Sequence, residues 1–317
     1  MTKLEIVKTY SQNWVAYNQA QQIEKTLFME LLSDLCKTIE EPKYTFGRPK
    51  LSLSDMLFCS VFKIYSTFSG RRFTSDMKIA KEKGFITKVA HYNSIFNYLK
   101  NPKFISVLKG LIQQSSLPLK SVETDFAVDS SGFSTSRYSR WFDFKYGRRN
   151  KWKIWIKAHL MCGVRTNIVT SVEITEGKVS DTPMLPELVT RTAQNFTINE
   201  VSADKGYSSR ENYESIGKVN GTGYIPFRSN ATGRSRGSYL WRKMFHYFMF
   251  KREEFMKNYH KRSNVETTFH MIKSKFGTNL RSKARVSQIN EVLCKILCHN
   301  ICVIIQSMNE LGIQARF

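Results

Sequence analysis

Three acidic side chains stand in contexts that could present carboxylates to one site: Asp129, Asp204 and Glu266. Asp129 follows the apolar run Phe126-Ala127-Val128 and precedes Ser130-Ser131-Gly132. Asp204 follows Val201-Ser202-Ala203 and precedes Lys205-Gly206-Tyr207. Both read as aspartates at the C-terminal end of a strand, where ligands of open α/β sheets bind. Either could instead be a turn residue, and Asp125 competes with Asp129, because an even spacing puts both on one strand face. Two strand-end aspartates in one region favour a shared site over two unrelated turns.

Glu266 can be placed by helical geometry. With Tyr259 set at 0° and about 100° per residue, Arg262 falls at about 300°, Glu266 at about 340° and Lys273 at about 320°. Val265, Phe269, Ile272 and Phe276 fall on the adjacent stripe, between about 220° and 280°, as a core-facing side would. A solvated salt-bridge face ordinarily lies opposite the core, whereas this polar set borders it. The wheel assumes one helix from Tyr259 to Lys273, and a start near Arg262 would release Tyr259 from the arc.

Mg²⁺ takes oxygen ligands, often one or two carboxylates with water and substrate phosphate completing the shell. Two such ions about 4 Å apart can clamp the attacking and leaving oxygens of a phosphoryl displacement. Three carboxylates from separate elements suit a site of two Mg²⁺ or Mn²⁺ ions, with Arg262 and Lys273 holding phosphate oxygens beside it. The chain has no Gly-rich phosphate loop, so nucleoside triphosphate hydrolysis is not supported. None of the six cysteines lies in a CxxC or in a zinc-like Cys/His spacing.

The charge agrees with a polyanionic partner. The chain carries 49 Lys and Arg against 26 Asp and Glu, a net charge of +23. Segment 137–165 holds nine basic residues against one acid, 228–262 ten against two, and 273–285 five against none. These segments alternate along the chain with the three acids, as a groove that tracks phosphates requires. A generally basic, solvated surface would give the same composition.

The elements that position these groups follow from patterning. Residues 1–116 read as helical: Leu27, Phe28, Leu31, Leu32 and Leu35 repeat at helical spacing, Ser52 or Ser54 can cap a second helix, Thr74-Ser75-Asp76 opens a third that Gly84 stops, and Asn93 or Ser94 opens a fourth. Two short helices around Gly84 are compatible with a helix-turn-helix or with a plain supporting bundle. Gly47-Arg48-Pro49-Lys50 resembles a minor-groove arm or an ordinary turn. Beyond a boundary near Ser115-Ser116-Leu117-Pro118 the pattern turns to strands at 122–129, 153–164, 168–175, 199–204 and 223–227. A helix spans 183–194, an aromatic and basic stretch 228–258, and two helices cover about 260–275 and 287–309. The order implies an α/β layer fold. Cys294, Cys298 and Cys302 fall on one helix face and read as core. No apolar run reaches the roughly 18 residues of a membrane span and no signal peptide opens the chain, so a soluble, cytoplasmic protein is expected.

Tyr259, Arg262, Glu266 and Lys273 match the Y-(2)-R-(3)-E-(6)-K signature of DDE transposases from prokaryotic insertion sequences. The Val128-Asp129-Ser-Ser-Gly and Ala203-Asp204-Lys-Gly-Tyr207 contexts resemble that family's first and second aspartate motifs. Lys157 and His159, followed by Val179-Ser180-Asp181, resemble its intermediate strands, with Ser180 where the family often has His. The likeness spans roughly 120–305. It implies an RNase H-like catalytic core over 117–317, with a small basic insertion around 205–258, behind a helical N-terminal domain over 1–116 that could bind DNA. It also implies that Asp129, Asp204 and Glu266 hold the two metal ions. Tyr259, Arg262 and Lys273 would contact double-stranded DNA, both terminal inverted repeats and target, and the protein would act as a homodimer on DNA. The implied chemistry is hydrolysis at the element's end followed by attack of the freed 3′-hydroxyl on target DNA. A DNA-binding protein that has lost catalysis, an RNase H-like nuclease without strand transfer and a basic RNA-binding protein are the alternatives. Trp141, Trp152, Trp155 and Trp241 lie in basic segments, as core residues or as platforms for an unpaired base.

Overall fold

The computed structural model describes residues 13–43, 46–47, 50–135, 145–147 and 155–317. Helix α1 (Trp14–Lys37) is capped by Asn13, whose side chain accepts from the Ala16 N–H, and it buries Phe28, Leu32 and Leu35. Ser52 caps α2 (Leu53–Ser66) by accepting from the Asp55 N–H. Gly84, at a φ of 76°, takes the left-handed conformation just past α3 (Phe73–Glu82). Helices α4 (Tyr92–Leu99) and α5 (Lys103–Ser116) follow. Residues 83–91 join α3 to α4, a longer link than the three- or four-residue turn of a helix-turn-helix, so these helices form a bundle. Arg48, Pro49, Trp141 and Trp152 lie outside the described residues.

Five strands build one mixed sheet: β1 (Asp125–Ser134), β2 (Trp155–Gly163), β3 (Val169–Glu176), β4 (Glu200–Ala203) and β5 (Thr222–Tyr224), in the order β3-β2-β1-β4-β5. β1–β2 and β2–β3 are antiparallel, and β1–β4 and β4–β5 are parallel. Alternation along β1 sends Ala127 and Phe133 into one apolar cluster and Phe126 and Val128 into another, one on each face. The first face is covered by α10 (Ser263–Phe276) and α11 (Arg285–Leu311), whose cluster continues into α1–α5. The second is covered by α6 (Leu185–Ala193), α7 (Arg210–Lys218), α8 (Tyr239–Phe250) and α9 (Arg252–Tyr259).

Three sequence expectations need correction. Asp129 does not end its strand: Val122 and Glu123 belong to a turn on Leu119, and β1 runs on through Ser130-Ser131-Gly132 to Ser134, paired throughout with β2. The polar Ser-Ser-Gly looked like a turn because the partner strand that holds it extended is distant in sequence. The aromatic and basic stretch 228–258 contains α8 and α9, and α7 was not anticipated, although Ser209 caps it by accepting from the Asn212 N–H. The stretch from Tyr259 to Lys273 is not one α-helix: α9 ends at Tyr259, residues 260–262 form a 3₁₀ turn, and α10 starts at Ser263.

By length and composition α11 could cross a bilayer, which counting uninterrupted apolar residues did not register, but 83% of its most apolar window is buried inside the protein. It is the core helix, and several of its buried polar groups have partners, whereas Asn290 Oδ1 has none among the described residues. Lys295 donates to the Gly277 and Asn279 carbonyls at 2.8 and 3.0 Å. His299 Nε2 lies 2.9 Å from the Asn167 carbonyl. Asn300, fully buried, accepts from the Val169 N–H at 2.9 Å and donates to the Val169 carbonyl at 2.8 Å, as a strand partner would. Cys294 and Cys298 are buried thiols of the same core and Cys302 is half-buried. Asn300→Ala orphans the Val169 N–H in the core, so urea unfolding should show a loss of about 3 kcal/mol, at the upper end for an unsatisfied buried group, with Asn300→Asp no better.

Candidate active site

The site starts from strand register. The parallel pairing of β1 with β4 aligns Asp125 with Glu200, Phe126 with Val201, Ala127 with Ser202 and Val128 with Ala203. The next position sets Asp129 against Asp204, the first residue beyond β4. Period-two alternation then puts two acid pairs on the same sheet face, Asp125 with Glu200 and Asp129 with Asp204. That face lies under the 3₁₀ turn 260–262 and the start of α10.

Each pair meets a cation from that turn. Lys261 Nζ donates to Asp125 at 2.7 Å and to Glu200 at 2.6 Å. Arg262 Nη1 donates to Asp129 Oδ2 at 2.8 Å, and its Nη2 to Glu266 Oε1, one turn along α10, at 2.5 Å. Asp129 thus shares a cation with Glu266, and Asp125 does not. The three candidate acids are neighbours, since the charges of Asp204 and Glu266 both act on Asp129.

The surroundings of Asp129 perturb its carboxyl. Burial raises its carboxyl above the ordinary Asp range, and Asp204 and Glu266 add to this, while the Ser130 N–H and Arg262 pull it back only in part. Arg262 is raised on balance: burial opposes its charge, but Tyr259, Asp129 and Glu266 outweigh it. Tyr259 lies under the guanidinium, 5.9 Å from ring centroid to the Arg262 Cζ. The sequence arc from Tyr259 to Lys273 is thus broken as a helix and kept as a contact. Lys273 is half-buried and burial lowers its ammonium. Its Nζ donates to Ser131 Oγ at 2.6 Å, on the same face of β1 as Asp129.

The donor set is three carboxylates, hard oxygen ligands of the kind Mg²⁺ and Mn²⁺ take. Among the described residues no three His, Cys, Asp or Glu side chains are arranged as they stand around an ion-sized space. Two of the three are instead drawn together around the Arg262 guanidinium. By chemistry they fit a divalent cation, which would share their oxygens with that guanidinium or replace it.

Further polar residues meet on the other face of the sheet. Asp181 Oδ1 is 2.6 Å from Lys157 Nζ and 3.4 Å from His159 Nδ1. His159 Nε2 lies 2.8 Å from Thr175 Oγ1, and Nδ1 3.4 Å from the Tyr207 hydroxyl. Tyr207 closes the 3₁₀ turn after Asp204, and Thr182 Oγ1 donates to the Gly206 carbonyl at 2.7 Å. The Lys157, His159 and Val179-Ser180-Asp181 segments are therefore brought together beneath the Asp204 turn. Burial lowers the His159 imidazole to about 4, with Asp181 only partly opposing this, so it is neutral. Trp241 is buried and donates to the Thr232 carbonyl at 2.8 Å, while Trp155 is half-exposed over Gly132 and Gly177.

A family model described as "Transposase DDE domain" matches residues 120–301. Among solved structures, the chain is similar to the piggyBac transposase in its synaptic complex with hairpin DNA, seen by cryo-EM. The match covers 98% of this chain and 78% of that one, at 11% identity and a TM-score of 0.44. No curated protein matches the sequence.

Two measurements follow from the electrostatics. His159 and His299 are both pushed down to about 4 by burial, below the unfolded value near 6.5. The unfolded chain takes up these protons first, so the stability they confer above about pH 6.5 should fall as pH drops toward 4. The slope should approach about 1.4 kcal/mol per pH unit for each histidine, and pairing His299→Gln with a urea titration across this window should flatten it. Arg262→Ala leaves Asp129 without its cation and should cost about 1–3 kcal/mol in the metal-free protein. Millimolar Mn²⁺ should then raise the melting temperature of this variant more than that of the wild type, and an equal rise would contradict the shared-cation geometry.

Proposed function

The chain belongs to the transposase DDE-domain family, and from that premise we propose that it is a DNA transposase of the prokaryotic insertion-sequence group with the Y-R-E-K signature. Asp129, Asp204 and Glu266 are its catalytic carboxylates and the ligands of two Mg²⁺ or Mn²⁺ ions. The observation that carries this reading is the register of β1 on β4, which sets Asp129 beside Asp204, with Arg262 tying Asp129 to Glu266. The mixed sheet with helices on both faces supports an RNase H-like core over 117–317. In this reading residues 1–116 form a functional unit that binds DNA, although their apolar cluster is continuous with the sheet face.

The substrate is double-stranded DNA, first the terminal inverted repeats and then the target. Water displaces the 3′-oxygen from a phosphodiester at the element's end, and the freed 3′-hydroxyl then displaces an equivalent oxygen in the target, with no covalent enzyme intermediate. Divalent cations, when bound, supply the charge that draws the attacking and leaving oxygens together. Arg262 has two roles in sequence: it neutralises Asp129 and Glu266 in the free protein, and it turns its planar fork to a DNA phosphate once other cations serve the acids. Lys273 holds a second phosphate from beside Ser131, its lowered proton affinity restored by the anion. Tyr259 packs against Arg262 and contacts the DNA backbone. Two copies pair two DNA ends, and the protein works in the cytoplasm on the nucleoid.

The test mixes purified protein with duplexes carrying the inverted repeats that flank its gene. Mg²⁺-dependent nicking at the repeat end is expected, lowered on the order of 10²–10³-fold or more in Asp129→Asn with binding retained. Binding without nicking by the wild type would favour a DNA-binding protein that has lost catalysis. Cutting of unrelated DNA without strand transfer would favour a nuclease.

A further inference from the structure

Past the turn that follows Asp204 lies a surface that the chemistry above does not use. On α8, Tyr239, Arg242, Lys243, His246, Met249 and Phe250 are exposed. At about 100° per residue they share one arc of about 120°, opposite the buried Trp241 and Met244. The His246 and Phe250 rings stack, with centroids 5.9 Å apart and planes 8° from parallel. Loop 228–238 packs alongside. A recess of about 540 Å³ is lined by Arg234, Arg236, Arg242 and His246 among others. A neighbouring one of about 250 Å³ is lined by Arg210, Arg228, Arg236 and Trp241 among others. No Asp or Glu occurs between Arg228 and Arg252.

The loop is held in place. Arg210 stacks on Trp241 at 4.6 Å and donates to the carbonyls of Ser235 and Arg234 at 3.1 and 3.0 Å. Arg236 has a φ of 42°, in the left-handed region, immediately before Gly237 at 91°. Glycine would adopt that conformation without strain, whereas arginine does so at a backbone cost. A strained arginine on a predominantly basic surface points to a use for its side chain.

We propose that this surface binds an unpaired DNA strand, its phosphates on Arg234, Arg236, Arg242 and Lys243 and its bases against Phe250 and Tyr239. The proposal rests on the transposase reading. Arg228 Nη2 lies 3.3 Å from the Gly206 carbonyl, two residues after Asp204, so one edge of the surface reaches the turn that follows Asp204, where a strand leaving the acids would pass. Its charge complements a polyanion and opposes a second copy of itself. Exposed rings among cations suit bases whose faces are free to stack.

The test uses the full chain and fluorescence anisotropy on two probes, a blunt duplex and the same duplex with a single-stranded tail of mixed sequence. Arg242→Ala/Lys243→Ala should weaken binding to the tailed probe about ten-fold and make the slope of log K against log salt shallower by about 1.4. Arg236→Gly removes one contact while relieving the backbone, so it should lower that slope by about 0.7 with a melting temperature equal to or above that of the wild type. Phe250→Ala should weaken the tailed probe about ten-fold, leaving the slope and the blunt duplex unchanged. Unchanged affinity and slope in the arginine and lysine variants would overturn the proposal. So would equal losses on both probes, or a Phe250→Ala effect confined to the oligomeric state. A wild type that cuts DNA while these variants bind as it does would remove this surface and leave the transposase reading intact. A wild type that neither binds nor cuts would remove both.

Discussion

The parallel register between β1 and β4 is the constraint from which the site follows. It places acids opposite one another twice, Asp125 with Glu200 and, one step past the paired residues, Asp129 with Asp204. Like charges about 4 Å apart in a protein-surface environment repel by about 4 kcal/mol, too much to leave unanswered in a domain stable by 5–15 kcal/mol. The answer comes from two consecutive residues of the 3₁₀ turn, Lys261 on the first pair and Arg262 on Asp129. That turn breaks what would otherwise be one helix from Arg252 to Phe276, and the break delivers Glu266 to the site.

The two pairs are neutralised differently, and the difference has functional content. Lys261 bonds both members of its pair, which leaves a closed structural contact between β1, β4 and the turn. Arg262 reaches Asp129 and, along its own helix, the largely exposed Glu266. Burial raises the Asp129 carboxyl even with Arg262 beside it. In the proposed function divalent cations take up the acids' oxygens and the guanidinium turns to a phosphate.

Much of the fold was legible because it rests on local signals. Ser52 as a cap, Gly84 as a stop, the Val265, Phe269, Ile272 and Phe276 stripe and the β-branched run of β3 each declare an element within a few residues. What was not legible depends on distant partners. The extension of β1 through Ser130-Ser131-Gly132 exists because β2 pairs with it. The 3₁₀ turn exists because Lys261 and Arg262 must each face acids on the sheet. The sequence favoured Asp129 over Asp125 as the end of its strand, a ground that fails because β1 runs on to Ser134 and alternation puts both acids on one face. A signal was available and unused: both strands carry acids four residues apart, Asp125 with Asp129 and Glu200 with Asp204, a spacing that predicts matched pairs once the strands are adjacent.

Anomalous diffraction from crystals grown with Mn²⁺ and a DNA end tests the central claim most directly. The expected result is Mn²⁺ at bonding distance from carboxylate oxygens of both Asp129 and Asp204, with Arg262 turned away from Asp129 to a phosphate. DNA bound with no metal peak at these acids, and Arg262 still bridging Asp129 and Glu266, would contradict it.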